Sequence, residues 1–501
     1  VFPAFSTTTT SVGDENATAL SNERTNNRTP QGVCFTTLIG LSLPRITHIL
    51  RVSYDPAQQA HEGLRHVATQ PMILYPMITA ILSIFLACQP LVNVDPATST
   101  GASDTSVTTS TTPTETATQV TTTTTSSSTT VTTAVVPNVD GSDLLFDDDI
   151  LPEFHITLSA ASFSSLQSDP YTYVIGSLSF NDLTFNNVGI RTKGQNSWRP
   201  INEKPSLKIK LDWKINQTLY GLKELTLNAM NDDPTMMHER IAYRFYREAG
   251  IPAARATHAW VTINEEPYGL YTHIETVDRD FIRRWFKDDT GPMFEQWDVD
   301  FYDNQIACPD PDAGQPCFEL EFGEDDRSGL QGIADALESG SGAAKMEAAG
   351  EHLDVPGFIR YWAAGVIVGQ YDAYPYGSDD CHLFTQENGL LLYIPHGVDE
   401  TFSDAGGSMS GAGGILATTC TSDTNNCYAD WVDQVWAYQA VSEKVDLLGY
   451  HDFVADQVEA LIDADTHHDH GSTSTVLYYQ NDMRSFISTR RQQIQNQLGS
   501  P

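Results

Sequence analysis

The stretch "NDDPTMMHERIAYRFYREAGIP", residues 231–252, decides how the folded part of this chain is read. Asp233 is a candidate helix cap, because a short carboxylate accepts hydrogen bonds from the unpaired backbone N–H groups of a helix start. Pro234 suits the first helical position, where its missing N–H would be unpaired anyway. Met237, Ile241 and Phe245 recur at i, i+4 spacing and form one apolar stripe, with Glu239 on the polar side. Gly250 and Pro252 then end the helix.

Upstream of this helix, "YTYVIGSLSF" (171–180), "FNNVGIRTKG" (185–194) and "PSLKIKLDW" (205–213) read as strands joined by Asn, Asp and Gly turns. Downstream, "HAWVTINEEPYGLYTHIE" (258–275) reads as a hairpin turning at "NEEP". Beyond Asp298 the pattern is helical and loop-rich, closing with the helix "DMRSFISTRRQQIQNQL" (482–498). Strands around one helix, then mainly helices, predict an α+β fold of two lobes: residues 151–290 β-rich and 291–501 mainly helical.

The chain has 501 residues, of which 40% are hydrophobic, so size is no obstacle to a large core. Its formal charge of -37, from 65 acidic and 28 basic residues, excludes a duplex nucleic-acid binder, which needs clustered cations. Such a surface suits an extracellular or halotolerant protein. Cys308 and Cys317 flank a short Pro/Asp/Gly loop, and Cys420 and Cys427 flank "TSDTNN". Both pairs read as local disulfide staples of an oxidising compartment, with Cys34 and Cys381 free. Zinc is the competing reading, but neither pair has CxxC spacing.

The run "MILYPMITAILSIFLAC", residues 72–88, is apolar and uncharged, and at 17 residues it fits a secretory signal core better than a membrane span. Its ending resembles a lipoprotein signal in which Cys88 would carry lipid; a signal-anchor helix is the alternative. Residues 98–136 are almost wholly Ser, Thr, Ala and Val, and the segment 89–150 reads as a disordered Ser/Thr-rich linker. Residues 1–71 stay unassigned and, with Met72 as the start, would be absent from the mature protein. The expectation is an exported protein, tethered to the cell envelope only if Cys88 is lipidated.

Two charge features carry chemistry. Residues 191–214 hold Arg191, Lys193, Arg199, Lys204, Lys208, Lys210 and Lys214 against Glu203 and Asp212, a local +5 within an acidic molecule. Such a focus attracts anions such as a polyphosphate, and the glycine turn "KGQNSW" offers backbone N–H groups. The alternative is a solvated basic edge strand. Far downstream, Asp372 ends the apolar run "YWAAGVIVGQY" and Asp399 ends "LLLYIP". Carboxylates at the mouths of buried elements are costly unless a cation or metal pairs with them. Phosphoryl transfer needs a cation on the phosphates, oxygen ligands for magnesium and a carboxylate to orient the attacking hydroxyl, and candidates for all three are present.

Six segments in order, "IRTKGQNSW", "KPSLKIKLD", "LTLNAMNDDPTMMHERIAYRFYREAGIP", "VTINEEPYGLYTHIETVDRDFI", "YDAYPYGSDDCHLF" and "IPHGVDETF", make the span from about Leu151 to Leu498 resemble the spore-coat CotH kinase family. That resemblance implies a bilobal protein-kinase-like fold and transfer of the γ-phosphoryl of ATP to protein Ser/Thr hydroxyls with Mg2+ or Mn2+. It implies that Lys204 neutralises nucleotide phosphates with Glu239 as its partner, that Asp372 orients the hydroxyl and that Asp399 binds the metal. Lys193, Gly194, Lys208 and Glu275 are the further candidates near the nucleotide. This sequence departs from the family pattern at Asp379 and Asp380, which replace Asn-Asn, and at His396 and Gly397, which replace Trp-Asp. Asp380 can still ligate a metal. The carboxylate lost at Gly397 favours the alternative, a catalytically inactive surface or adhesion protein of the same fold. The crowded "THHDHG" (466–471) reads as structural, since adjacent residues rarely converge on one ion.

Overall fold

The computed structural model describes residues 141–501 except 309–315, 340–341, 404–407 and 423–425. The expected signal segment, the expected Cys88 tether and the expected linker up to residue 140 lie outside the described residues. Strands β1 (Glu153–Leu158), β2 (Val174–Phe180), β3 (Leu183–Lys193), β4 (Ser206–Lys210), β5 (Glu224–Asn228), β6 (Ala256–Ile263) and β7 (Glu266–Ile274) close into a barrel in the order β1-β2-β3-β4-β5-β7-β6. Helix α1 (Ala160–Ser168) follows β1, and α2 (His238–Glu248) lies between β5 and β6.

The barrel forms because alternate residues point inward. In β1 the burial alternates strictly, placing Phe154, Ile156 and Leu158 in the interior beside Leu178, Ile190, Leu207, Ile209, Leu225 and Val261. Its interior is therefore a packed core. The β6–β7 hairpin turns at Asn264 and Glu265, both with positive φ, the backbone that a two-residue hairpin turn of matching twist requires.

The remainder holds α3 (Arg279–Trp285), β8 (Met293–Trp297), β9 (Cys317–Phe322), α4 (Ser328–Glu338), α5 (Gly342–Ala349), α6 (Val355–Val368), β10 (Cys381–Thr385), β11 (Leu391–Pro395), α7 (Ile415–Thr421), α8 (Cys427–Lys444), α9 (Leu447–Ile462) and α10 (Thr473–Leu498). Its strands form an antiparallel sheet in the order β11-β10-β8-β9. Helix α6 is buried along nearly its whole length, capped by Asp354 at one end and by left-handed Gly369 at the other.

The bilobal kinase-like fold is overturned. Parallel pairing of β1 with β6 closes the β-rich part into a barrel, and the second half carries a sheet of its own. One core cluster takes in α2, Leu270 and Ile274 of β7, the second sheet and the helices down to Ile494, beside the separate core inside the barrel. Closure satisfies the edge groups that an open sheet would leave unpaired.

The packed region also begins before Leu151. Leu145 is buried, Asp143 pairs with Arg255 at 2.6 Å, and Asp148 pairs with Arg240 and Arg244. Cys308–Cys317 and Cys420–Cys427 are disulfides, as their spacing predicts, and Cys381 is free and buried. Among the described residues no helix is long and apolar enough to cross a membrane.

Candidate functional site

The start of α2 is where the acidic loops approach the barrel. The Asp233 carboxylate accepts from the backbone N–H groups of Thr235 (2.9 Å), Met236 (3.1 Å) and His238 (2.7 Å). Holding this turn outside the helix delays α2 to His238, beyond the Pro234 start that the sequence predicts, with Met236 at φ +61°. His238 Nδ1 lies 2.5 Å from the carbonyl oxygen of Asp399, so the helix start is tied to the loop after β11.

Glu239 follows in the first turn and is only 3% exposed. Asn228 Nδ2 donates to its Oε1 at 2.8 Å, while Oε2 has no hydrogen-bond partner. Burial, and next the charge of Asp399, push its carboxyl up to about 8 against the pull of Lys193. Burial raises Asp399 too, again opposed by Lys193. Asp380 is pushed well above the carboxylate range by burial and then by the charge of Asp399, with Asp379 and the neighbouring Asp372 carboxyl adding to the shift. Backbone bridging of Ala373 to Asp379, with Tyr374 N–H donating to Asp379 O at 3.0 Å, doubles this loop back so that Asp372 and Asp380 meet.

Four carboxylates thus share one neighbourhood, graded from exposed Asp372 through half-buried Asp380 and Asp399 to buried Glu239. The Lys193 ammonium, at the end of β3, opposes the charge of Glu239 and Asp399. The carboxylates are hard oxygen donors, the type that Mg2+ or Mn2+ takes, and Glu239 Oε2 is buried without a partner, but among the described residues no three of the four converge to within 4.8 Å.

Gly397 has φ +52°, and a Cβ there would lie 2.1 Å from Asp380 Oδ1. The glycine therefore makes room for the Asp380 carboxylate, so positions 380 and 397 are coupled in space.

Residues 190–490, more than half of the chain and including all four carboxylates, match the family described as CotH kinase protein. The chain belongs to the CotH kinase protein family. Similar proteins include the inner spore coat protein H-like protein of Bacillus subtilis (strain 168), 41% identical over 73 residues, which are 15% of this chain and 22% of that protein. Inner spore coat protein H of the same organism is 25% identical over 193 residues, 37% of this chain and 52% of the relative. The chain spans about a fifth and about half of the length of these two curated relatives.

In this CotH family chain, Lys204 is not brought to the carboxylate cluster. It precedes β4, and its Nζ forms a fully buried ion pair with Asp465 at 2.6 Å. Asp465 also accepts from the N–H groups of Leu270 (2.9 Å), His467 (3.1 Å) and His468 (3.1 Å). The Glu239 partnership expected for Lys204 is thereby replaced, because a buried ammonium is held by the carboxylate that also bonds it, and Glu239 bonds Asn228 instead.

Glu275 also serves elsewhere: Arg255 and Arg284 place four donors on its carboxylate at 2.6–3.0 Å, joining the hairpin to α3. Gly194 forms the expected turn at φ +103°, its carbonyl accepting from Tyr171 Oη. Lys208, half-buried on β4, acts on Glu295, His382 and His396 of the second-sheet region. In "THHDHG", Asp469 pairs with Arg199 and His470 Nε2 lies 2.8 Å from Met230 O, as a structural role requires.

The sequence reading passed over Asp465, Asp233 as a multi-donor anchor of the site, and His238. Asp465 gives no local signal, since its partner is 261 residues away. The tie from His238 to Asp399 likewise depends on chain separated by 161 residues.

Proposed function

We propose that the chain transfers the γ-phosphoryl of ATP to Ser or Thr hydroxyls of a protein, with Asp372, Asp380, Asp399 and Lys193 as the working residues. The observation that carries this reading is the meeting of Asp372 and Asp380, from one loop, with Asp399, from another, above buried Glu239.

Asp380 and Asp399 would hold Mg2+ or Mn2+, whose bound charge would neutralise the phosphate oxygens. Lys193 adds a cation at the end of β3, beside the turn at Gly194. Asp372 is exposed, so its carboxylate can accept the proton of an incoming hydroxyl as the new O–P bond forms and ADP leaves. Glu239 sits beneath and accepts from Asn228. The phosphate role earlier given to Lys204 passes to Lys193, since Lys204 is engaged by Asp465.

The test is mass spectrometry of the purified chain after incubation with ATP and Mg2+ or Mn2+. Phosphate on Ser or Thr, lost in Asp372→Asn and Asp399→Ala, is the expected outcome; equal phosphorylation in both variants overturns the assignment.

A second reading, a catalytically inactive spore-surface protein, draws support from the relatives' names and from the absence of Lys204 from the cluster. An exported location fits both readings and the two disulfides.

A further inference from the structure

On the second sheet, beyond the carboxylate cluster, Glu295 of β8 stands opposite His382 of β10. His396, the residue after β11, brings its ring to 4.4 Å from that of His382, centroid to centroid, and its Nε2 to 3.8 Å from Glu295 Oε1. One donor atom from each of the three residues lies within 4.8 Å of the other two. A tetrahedral ion with metal–ligand bonds of about 2.1 Å would hold its ligands about 3.4 Å apart, so small side-chain adjustments complete the site.

A second observation is independent of that spacing. His382 is 3% exposed, and the Nδ1 atoms of both His382 and His396 are buried without a hydrogen-bond partner. Leaving a buried polar atom unpaired costs about 1–3 kcal/mol, so such atoms mark places where a ligand belongs.

The surrounding charges come from three elements. The Glu321 carboxyl of β9 lies beside that of Glu295. Lys208 of β4 faces the group from the barrel, and Lys193 acts on His396.

We propose that Glu295, His382 and His396 form a binding site for a divalent transition ion of the zinc class. Two imidazoles with one carboxylate suit such an ion rather than Mg2+ or Ca2+, which take oxygen ligands. The ion would clasp β8, β10 and the end of β11. His382 lies two residues beyond Asp380, and His396 three before Asp399, so the same clasp would brace both strands that deliver the acidic cluster.

The full chain, stripped of metal and kept in saturating Mg2+ without ATP, is titrated with Zn2+ by calorimetry, and with Co2+ by visible absorption. One Zn2+ per chain is expected, with a rise in melting temperature. His396→Ala, at a half-exposed position that spares the fold, and Glu295→Gln each weaken binding by at least about 100-fold. His467→Ala combined with His470→Ala leaves it unchanged. Undiminished Zn2+ affinity in His396→Ala, or no saturable binding by the wild-type chain, overturns the proposal. Because no nucleotide enters the experiment, its failure leaves the phosphoryl-transfer reading untouched.

Discussion

Lys204 Nζ lies 2.6 Å from Asp465 Oδ2, and both side chains are cut off from solvent. The pair pins the approach to β4 against the segment after α9, and Asp465 extends the tie to β7 through Leu270 N–H. Burial pushes the lysine's pKa down, and Asp465 opposes that shift.

Removing one partner leaves an uncompensated buried charge. Lys204→Met and Asp465→Asn are each expected to cost about 3–5 kcal/mol. In the double variant Lys204→Met with Asp465→Leu, part of that loss returns. Urea unfolding of the three variants measures the coupling.

Lys193 and Lys204 separate by experiment. Lys193→Met is expected to raise KM for ATP about tenfold or more with little change in melting temperature, since its ammonium faces the carboxylates from a strand end. Lys204→Met is expected to lower the melting temperature first. Steady-state kinetics alongside thermal melts shows which lysine serves the site.

The carboxylate cluster sets a pH dependence. Burial and then the charge of Asp399 push the Glu239 carboxyl up to about 8, and burial raises Asp380 and Asp399 as well. Between the ordinary carboxyl range and these raised values, the folded protein keeps protons that the unfolded chain has lost. Stability is therefore greatest at the acidic end of that window and falls as pH rises through it. Metal-free protein should lose on the order of 5 °C in melting temperature from about pH 5 to about pH 9. Mg2+ should restore most of it, and Glu239→Gln should flatten the curve.

Gly397→Ala tests the spatial coupling with Asp380. The added Cβ would fall 2.1 Å from Asp380 Oδ1 at a positive φ. A stability loss of about 1–3 kcal/mol is expected, together with weaker Mg2+ binding as Asp380 is displaced. Calorimetry with Mg2+ on Gly397→Ala and on the Gly397→Ala, Asp380→Asn double variant shows whether the two effects share one cause.

Local physics made much of this chain legible. Alternating apolar residues mark strands such as Leu207–Ile209, the i, i+4 stripe of Met237, Ile241 and Phe245 marks α2, and short spacings mark both disulfides. The emergence of Asp372 and Asp399 from buried elements is equally local, because an apolar run ending in a carboxylate is visible in the residues themselves. Tertiary structure alone decided the rest. The parallel join of Glu153–Ile156 to Trp260–Ile263 closes the barrel across about a hundred residues. Lys204 finds Asp465, and His382 finds His396 and Glu295, only after the sheets are built. Electrostatic and hydrogen-bond partnerships depend on distances of a few ångströms, and separation along the chain carries no information about them until packing has fixed those distances.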